Sequence, residues 1–163
     1  MSAFDHTSRR TLLAAAALVA GAGAAHAQSA GDDPAQLVAI MDRYAAALRA
    51  GNVEALVALY APDGVFMREN RPAVTGTQAL REAIRQVFAT LKVDLSFDIQ
   101  ETEVAGDMAW LRGTSKGRIR TLSTGVEAAE SFNQLIVFRR IGGAWKIRAY
   151  LYASNRPGPG VPQ

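Results

Sequence analysis

Arg148 and Tyr150 alternate on one face of a strand predicted over Ala144–Ser154. A guanidinium beside a phenol can bind a carboxylate or a phenol-like ligand, although the same pair on an open sheet face is equally an arginine–tyrosine ladder. Glu130, Asn133 and Gln134 are polar residues at the start of a largely apolar strand. A buried polar side chain needs a partner, so one of them can line a pocket; the alternative is that they occupy the exposed, widening end of the strand. Tyr44 stands on the apolar stripe of a predicted helix, where its hydroxyl either serves a site or rests on a backbone carbonyl. Trp110 and Arg112 share a strand face, and Trp110 there suits packing more than ligand contact.

Much chemistry is excluded. The chain has no Cys, so disulfides, thiolate nucleophiles and Cys-based metal sites are absent together. Its two histidines, His6 and His26, lie in the N-terminal segment, so the rest of the chain has neither a Ser-His-Asp triad nor a His-ligated metal centre. No glycine-rich phosphate loop, dinucleotide fingerprint or carboxylate cluster with metal spacing occurs, and no cofactor is expected. The net charge is +3, and removal of residues 1–27 takes away Arg9, Arg10 and Asp5, leaving +2. That bias is too weak to argue for nucleic acid or an acidic membrane surface.

Residues 1–27 read as a cleaved export signal. Ser8-Arg9-Arg10-Thr11-Leu12-Leu13 precedes an apolar run, and Ala25-His26-Ala27 supplies a small-residue cleavage site. The adjacent arginines resemble a bacterial twin-arginine signal; a general-secretion signal is the alternative. The apolar run is short for a bilayer span, so no membrane insertion is expected after cleavage. Either route places the remaining chain in the periplasm or outside the cell.

Residues 28–33 form a polar linker and 34–155 one domain. Asp33-Pro34-Ala35-Gln36 opens a helix in which Asp can cap and Pro suits the first turn. Leu37, Ile40, Met41, Tyr44 and Leu48 follow at helical spacing, and Gly51 ends the run. Asn52 caps a short second helix carrying Leu56, Val57, Leu59 and Tyr60, stopped by Pro62. Val65 to Arg68 reads as a short strand, with Asp63 holding the turn before it. A third helix runs from about Thr77 to Leu91. Strand alternation then begins at Leu95, Phe97 and Ile99, and further strands are predicted over Met108–Ile119, Val126–Arg140 and Ala144–Ser154. Helices first and hairpin-linked strands afterwards indicate an α+β fold. The tail 156–163, rich in Pro and Gly, is expected to be disordered.

The segments Tyr44 to Asn52, Leu59-Tyr60-Ala61-Pro62-Asp63-Gly64-Val65 and Gly143-Ala144-Trp145-Lys146-Ile147 resemble the nuclear transport factor 2-like superfamily. The likeness is to its SnoaL-like and ketosteroid-isomerase-like branches. Asn70 to Gly76 and Gly106 to Gly113 look most like its uncharacterised, often secreted members. The resemblance implies three helices packed in a strongly curved, mostly antiparallel sheet that leaves a cone-shaped pocket. It also implies that the other sheet face makes a homodimer, which suits the Glu130–Phe138 strand, apolar on both faces in its second half.

In ketosteroid-isomerase-like proteins a Tyr matching Tyr44 donates a hydrogen bond to a developing enolate oxygen. That family's base falls here at Arg68, with Glu69 one register away, and its second acid falls near Ile136. Both acids are missing, so an isomerase-type proton shuttle is not assigned. The candidate pocket residues are Tyr44, Tyr60, Met67 and Trp110, together with Asn133, Arg148 and Tyr150. The leading expectation is an exported domain binding a small, mainly apolar molecule. One alternative is a cofactor-free isomerase, cyclase or lyase with Tyr44 as donor and Glu130 or a water as base. Another is a dimeric assembly or accessory domain.

Overall fold

The computed structural model describes residues 32–156. The expected export signal, most of the expected linker and the tail beyond Arg156 lie outside the described residues. Helix α1 spans Asp33–Ala50, with Pro34 in its first turn. It buries the expected stripe of Leu37, Ile40, Met41 and Tyr44 and stops at Gly51, whose φ of 61° a residue without Cβ adopts without strain.

Asp33 does not cap this helix. Asp32 holds the N-cap position without a side-chain bond, while Asp33 turns inward and is 3% exposed. Arg140 Nη2 donates to Asp33 Oδ2 at 2.6 Å and Trp145 Nε1 to Oδ1 at 3.0 Å. The Arg140 guanidinium also stacks 4.2 Å above the Trp145 ring. The Arg140 bond, then the Trp145 bond, hold the Asp33 carboxyl below its ordinary 3.8. A depressed carboxyl stabilises the fold above its unfolded-state value and loses that contribution as pH falls through the folded-state value. The melting-temperature gap between wild type and Asp33→Asn is therefore expected to be widest near neutrality and to shrink below pH 3.8. A gap that stays constant under acid would mean that the charge does not contribute.

Helix α2, Val53–Val57, is capped by the Asn52 side chain, which accepts from the Ala55 N–H at 3.0 Å. It is shorter than its apolar spacing predicts. Leu59 and Tyr60 leave the helix because the Leu59 carbonyl accepts the Ile147 N–H at 2.9 Å. Strand β1, Tyr60–Arg68, thus begins five residues before the expected start. Its pairing is interrupted between Tyr60 and Val65, where Pro62, lacking an N–H, and Asp63 are accommodated. Strand β2 is Val74–Thr75, and α3 spans Thr77–Thr90. The four-strand run follows as β3 Leu91–Ala105, β4 Met108–Thr121, β5 Glu127–Ile141 and β6 Ala144–Ser154.

The six strands form one open, mixed sheet in the order β2-β1-β6-β5-β4-β3, with only β1 and β6 parallel. Helix α1 lies against β3, and α3 against β1 and α2. Period-2 alternation sets the inner face: Val93 and Leu95 on β3, Ala109 and Leu111 on β4, and Ile136 and Phe138 on β5 are buried. Leu135 and Leu151 on the outer face are each 42% exposed.

Strand β6 departs from strict alternation. Phe138 pairs with Ile147 but Val137 pairs with Ala149, so Arg148 is an extra residue opposite β5. This bulge changes the side on which the following residues point. Trp145 and Ile147 before it, and Tyr150 and Tyr152 after it, all face inward. The expected sharing of one face by Arg148 and Tyr150 is thereby corrected.

Candidate functional site

A cavity of about 100 Å³ lies between α1, the end of α3 and the inner face of the sheet. Its walls are largely apolar: Leu48 from α1, Val87 from α3, Val93 and Leu95 from β3, and Ile119 from β4. Around it stands an aromatic cluster. Tyr44 meets Tyr150 edge-on at 5.1 Å between centroids and Phe97 edge-on at 5.8 Å. Phe66 lies 5.8 Å from Tyr150 and 5.9 Å from Tyr152, and Phe132 meets Tyr152 edge-on at 5.3 Å.

The polar atoms in this cavity are few and placed. The Tyr150 hydroxyl donates to Gln134 Oε1 at 2.9 Å, and Gln134 Nε2 donates to Ser115 Oγ. This chain satisfies the two buried polar residues of β4 and β5 and fixes the orientation of the Gln134 amide. The hydroxyls of Tyr44 and Tyr60 stand 3.5 Å apart. That separation is long for a hydroxyl pair, so neither is firmly bound by the other. Burial raises the phenols of Tyr44, Tyr60 and Tyr150 well above the ordinary 10.0. Tyr152 is raised by burial too, with the Arg68 charge opposing. All four phenols are therefore neutral donors at physiological pH, and no carboxylate lines the cavity. Such a site can orient a neutral or weakly polar molecule and donate a hydrogen bond to its oxygen. A larger, open groove of about 790 Å³ between α1, α2 and the start of β6 is lined by seven alanines among its residues, and its Arg43, Trp145 and Lys146 donate within the fold, to Ala39 O, Asp33 and Ala58 O.

The model of the SnoaL-like domain family matches residues 41–148, two-thirds of the chain and all but the margins of this fold. The chain belongs to the SnoaL-like domain family. Among solved structures, it is similar to a ketosteroid isomerase-like protein from Erwinia carotovora atroseptica, at 29% identity and a TM-score of 0.71, covering 76% of this chain and 96% of that one. An NTF2-like protein with a cystatin-like fold from Novosphingobium aromaticivorans shares the fold at 20% identity and a TM-score of 0.62, over 78% of this chain and 85% of that one. An NTF2-like protein of unknown function from Pseudomonas putida shares it at 16% identity and 0.62, over 76% and 87%. No curated protein sequence matches the chain.

In this SnoaL-like domain the candidate residues separate into groups. Tyr44 and Tyr150 line the cavity. Tyr60 stands behind Tyr44 and reaches it through the hydroxyl contact. Met67 is one register off: Phe66 faces the cavity, and Met67 pairs with the outward Leu151. Trp110 and Asn133 lie on the outer face, alternating with the inward Leu111 and Gln134. Arg148, displaced by the bulge, lies 3.2 Å from Asp63 Oδ2, which Arg139 also approaches at 3.6 Å. Arg148 and Tyr150 are thus not brought together, and Asp63 ties the β1 turn to β5 and β6. Glu130 is not among the lining residues; its carboxylate is 3.5 Å from Arg156 Nη1.

The expected pocket residues leave out Phe66, Ser115, Phe132 and Tyr152, which line the cavity, and of the polar trio on β5 it is Gln134 and not Asn133 that lines it. Parity signals two of them. Gln134 shares its face with Ile136 and Phe138, and Ser115 shares its face with Leu111.

Proposed function

We propose that this SnoaL-like domain binds a small, mainly apolar molecule in a cone-shaped pocket between α1 and the inner face of the sheet. It does so after export, outside the cytoplasm, and without a cofactor. One observation carries the reading. Tyr44 and Tyr60 bring two hydroxyl protons into a buried site and have one long contact between them. At least one O–H is left to donate, and a buried donor without an acceptor is costly. A ligand oxygen placed against Tyr44 meets that need, while the aromatic walls take the apolar body.

A cofactor-free isomerase, cyclase or lyase using Tyr44 as donor is the alternative chemistry. It lacks support for its base, because Glu130 is turned to Arg156 and no acid lines the cavity. A dimeric assembly role is favoured by a different observation. Met108, Trp110, Leu135 and Val137 surround an apolar depression on the outer sheet face, which a second copy would cover.

Native mass spectrometry of the mature protein purified from periplasm tests the first reading, with denaturing analysis of anything carried along. A stoichiometric small molecule that is lost in Tyr44→Phe is the expected result. A clean dimer without a passenger, unchanged by Tyr44→Phe, would move the function to the outer face.

A further inference from the structure

Arg68 is the last residue of β1 and faces the same side as Phe66. Its cross-strand neighbour on β6 is Tyr152, and both Phe66 and Tyr152 line the cavity. The guanidinium carbon lies 5.5 Å from the centre of the Phe66 ring. Arg68 Nε is buried and has no hydrogen-bond partner. Among the described residues Arg68 is also the one partly buried arginine without an acidic partner: Arg81 has Glu54, Arg140 has Asp33 and Arg148 has Asp63. The adjacent Glu69 is turned away and accepts the Ser154 N–H at 2.7 Å. A cation thus stands beside the Phe66 wall at the edge of an uncharged cavity, outside its lining residues, with its Nε unpartnered.

Arginine presents a planar fork that matches a carboxylate, and a partly buried guanidinium without an anion leaves desolvation uncompensated. The volume limits what else the ligand contains. About 100 Å³ is less than the roughly 150 Å³ of an apolar cavity that takes up benzene. That space admits no polycyclic body and at most one ring, so a charged group carried by the ring is left at the edge. The opposite end is set by Tyr44, whose hydroxyl wants an acceptor oxygen.

We infer that the ligand is a single-ring carboxylate, its anionic group on Arg68, its ring among Phe66, Tyr150 and Tyr152, and an acceptor oxygen toward Tyr44. This rests on the reading of the cavity as the binding site and adds the charge and size of the molecule. Arg68 is then a specificity-determining residue, selecting the anion over its neutral counterpart.

Calorimetric titration with para-hydroxybenzoate and with neutral para-hydroxybenzamide, near neutral pH, tests it. The two probes share ring and hydroxyl and differ in charge. The wild type is expected to bind the anion about tenfold more tightly than the amide, as a charge-assisted pair at a partly buried site implies. Arg68→Gln is expected to bring the anion down to the level of the amide and to leave the amide unchanged. Arg68→Lys, which keeps the charge without the fork, should recover part of the preference. If Arg68→Gln does not fold, the wild-type ratio and the Lys variant carry the decision. Equal affinity for both probes in the wild type, or a preference that survives Arg68→Gln, overturns the anion assignment and leaves cavity binding standing. Binding of neither probe by the wild type overturns both.

Discussion

Folded protein brought to alkaline pH is expected to show no tyrosinate where free tyrosine ionises, near pH 10. The tyrosinate absorbance should instead appear in one step, together with loss of helical signal. The chain has four tyrosines, and all four belong to the cluster around the cavity. Each is raised above 10.0, with burial as the largest cause. The sign follows from linkage. A folded-state value above the unfolded one gives stability that is complete below pH 10 and is lost as pH rises, because only the unfolded chain can release the proton. One pH unit above the unfolded value, each such phenol draws the equilibrium toward unfolding by about 1.4 kcal/mol. The three most buried, Tyr44, Tyr60 and Tyr150, together draw about 4 kcal/mol, a large part of a stability of about 5–15 kcal/mol. Ultraviolet difference absorbance and circular dichroism on one sample decide it. Gradual tyrosinate growth around pH 10 with the helical signal intact would mean that the phenols are open to solvent.

Gly117→Ala is expected to lower stability by about 3 kcal/mol or more, read from urea unfolding. Gly113 and Gly117 flank Ser115 on the inner face of β4 and are paired to Ile99 and Leu95 of β3. A Cβ at Gly117 would fall well inside van der Waals contact of the Asp94 carbonyl oxygen, and one at Gly113 inside that of Asp98. Both obstacles are backbone held in a ladder, so neither yields as a flexible side chain would. The close approach brings Val93 and Leu95 onto the same cavity as Ser115. Glycine within a strand marks such an approach. Lys116→Ala, on the exposed outer face, serves as the control and should change stability by less than about 0.5 kcal/mol. A Gly117→Ala protein as stable as that control would refute the crowding argument.

Much of this architecture was legible in the residues because it depends on local periodicity. The stripe from Leu37 to Tyr44 has one amphipathic reading, and α1 follows it. Alternation through Leu95, Phe97 and Ile99 likewise identifies β3. What was not legible depends on partners distant in sequence. Leu59 and Tyr60 continue a helical spacing, but the backbone of Ile147, 88 residues along, draws them into the sheet. Asp33 carries a capping signature, but Arg140 and Trp145 take its carboxylate from the far end of the chain. The site suffered most, since a one-residue slip in β1 exchanges Phe66 for Met67 and a single bulge in β6 removes Arg148 from the side of Tyr150. Strand parity locates a side chain only if the register is unbroken, and this sheet breaks register in β1, β3 and β6.

The extra residue in β6 also divides the strand into two parts that can diverge independently. Before it, Trp145 and Ile147 serve the interior; after it, Tyr150 and Tyr152 serve the cavity. Removal of that one position would leave a regular ladder, Ile147 opposite Phe138 and Ala149 opposite Val137, with Tyr150 and Tyr152 still opposite Ile136 and Gln134. If the residue stayed and the ladder ran on without a bulge, Leu151 and Ala153 would instead face inward in place of the two phenols, a greasy wall for a hydrogen-bonding one, while the tryptophan end kept its seat. The wall of the cavity is thus chosen by whether the strand bulges, so a change that abolishes the bulge without shortening the chain would retune ligand preference, a short path by which one scaffold can accept unlike molecules.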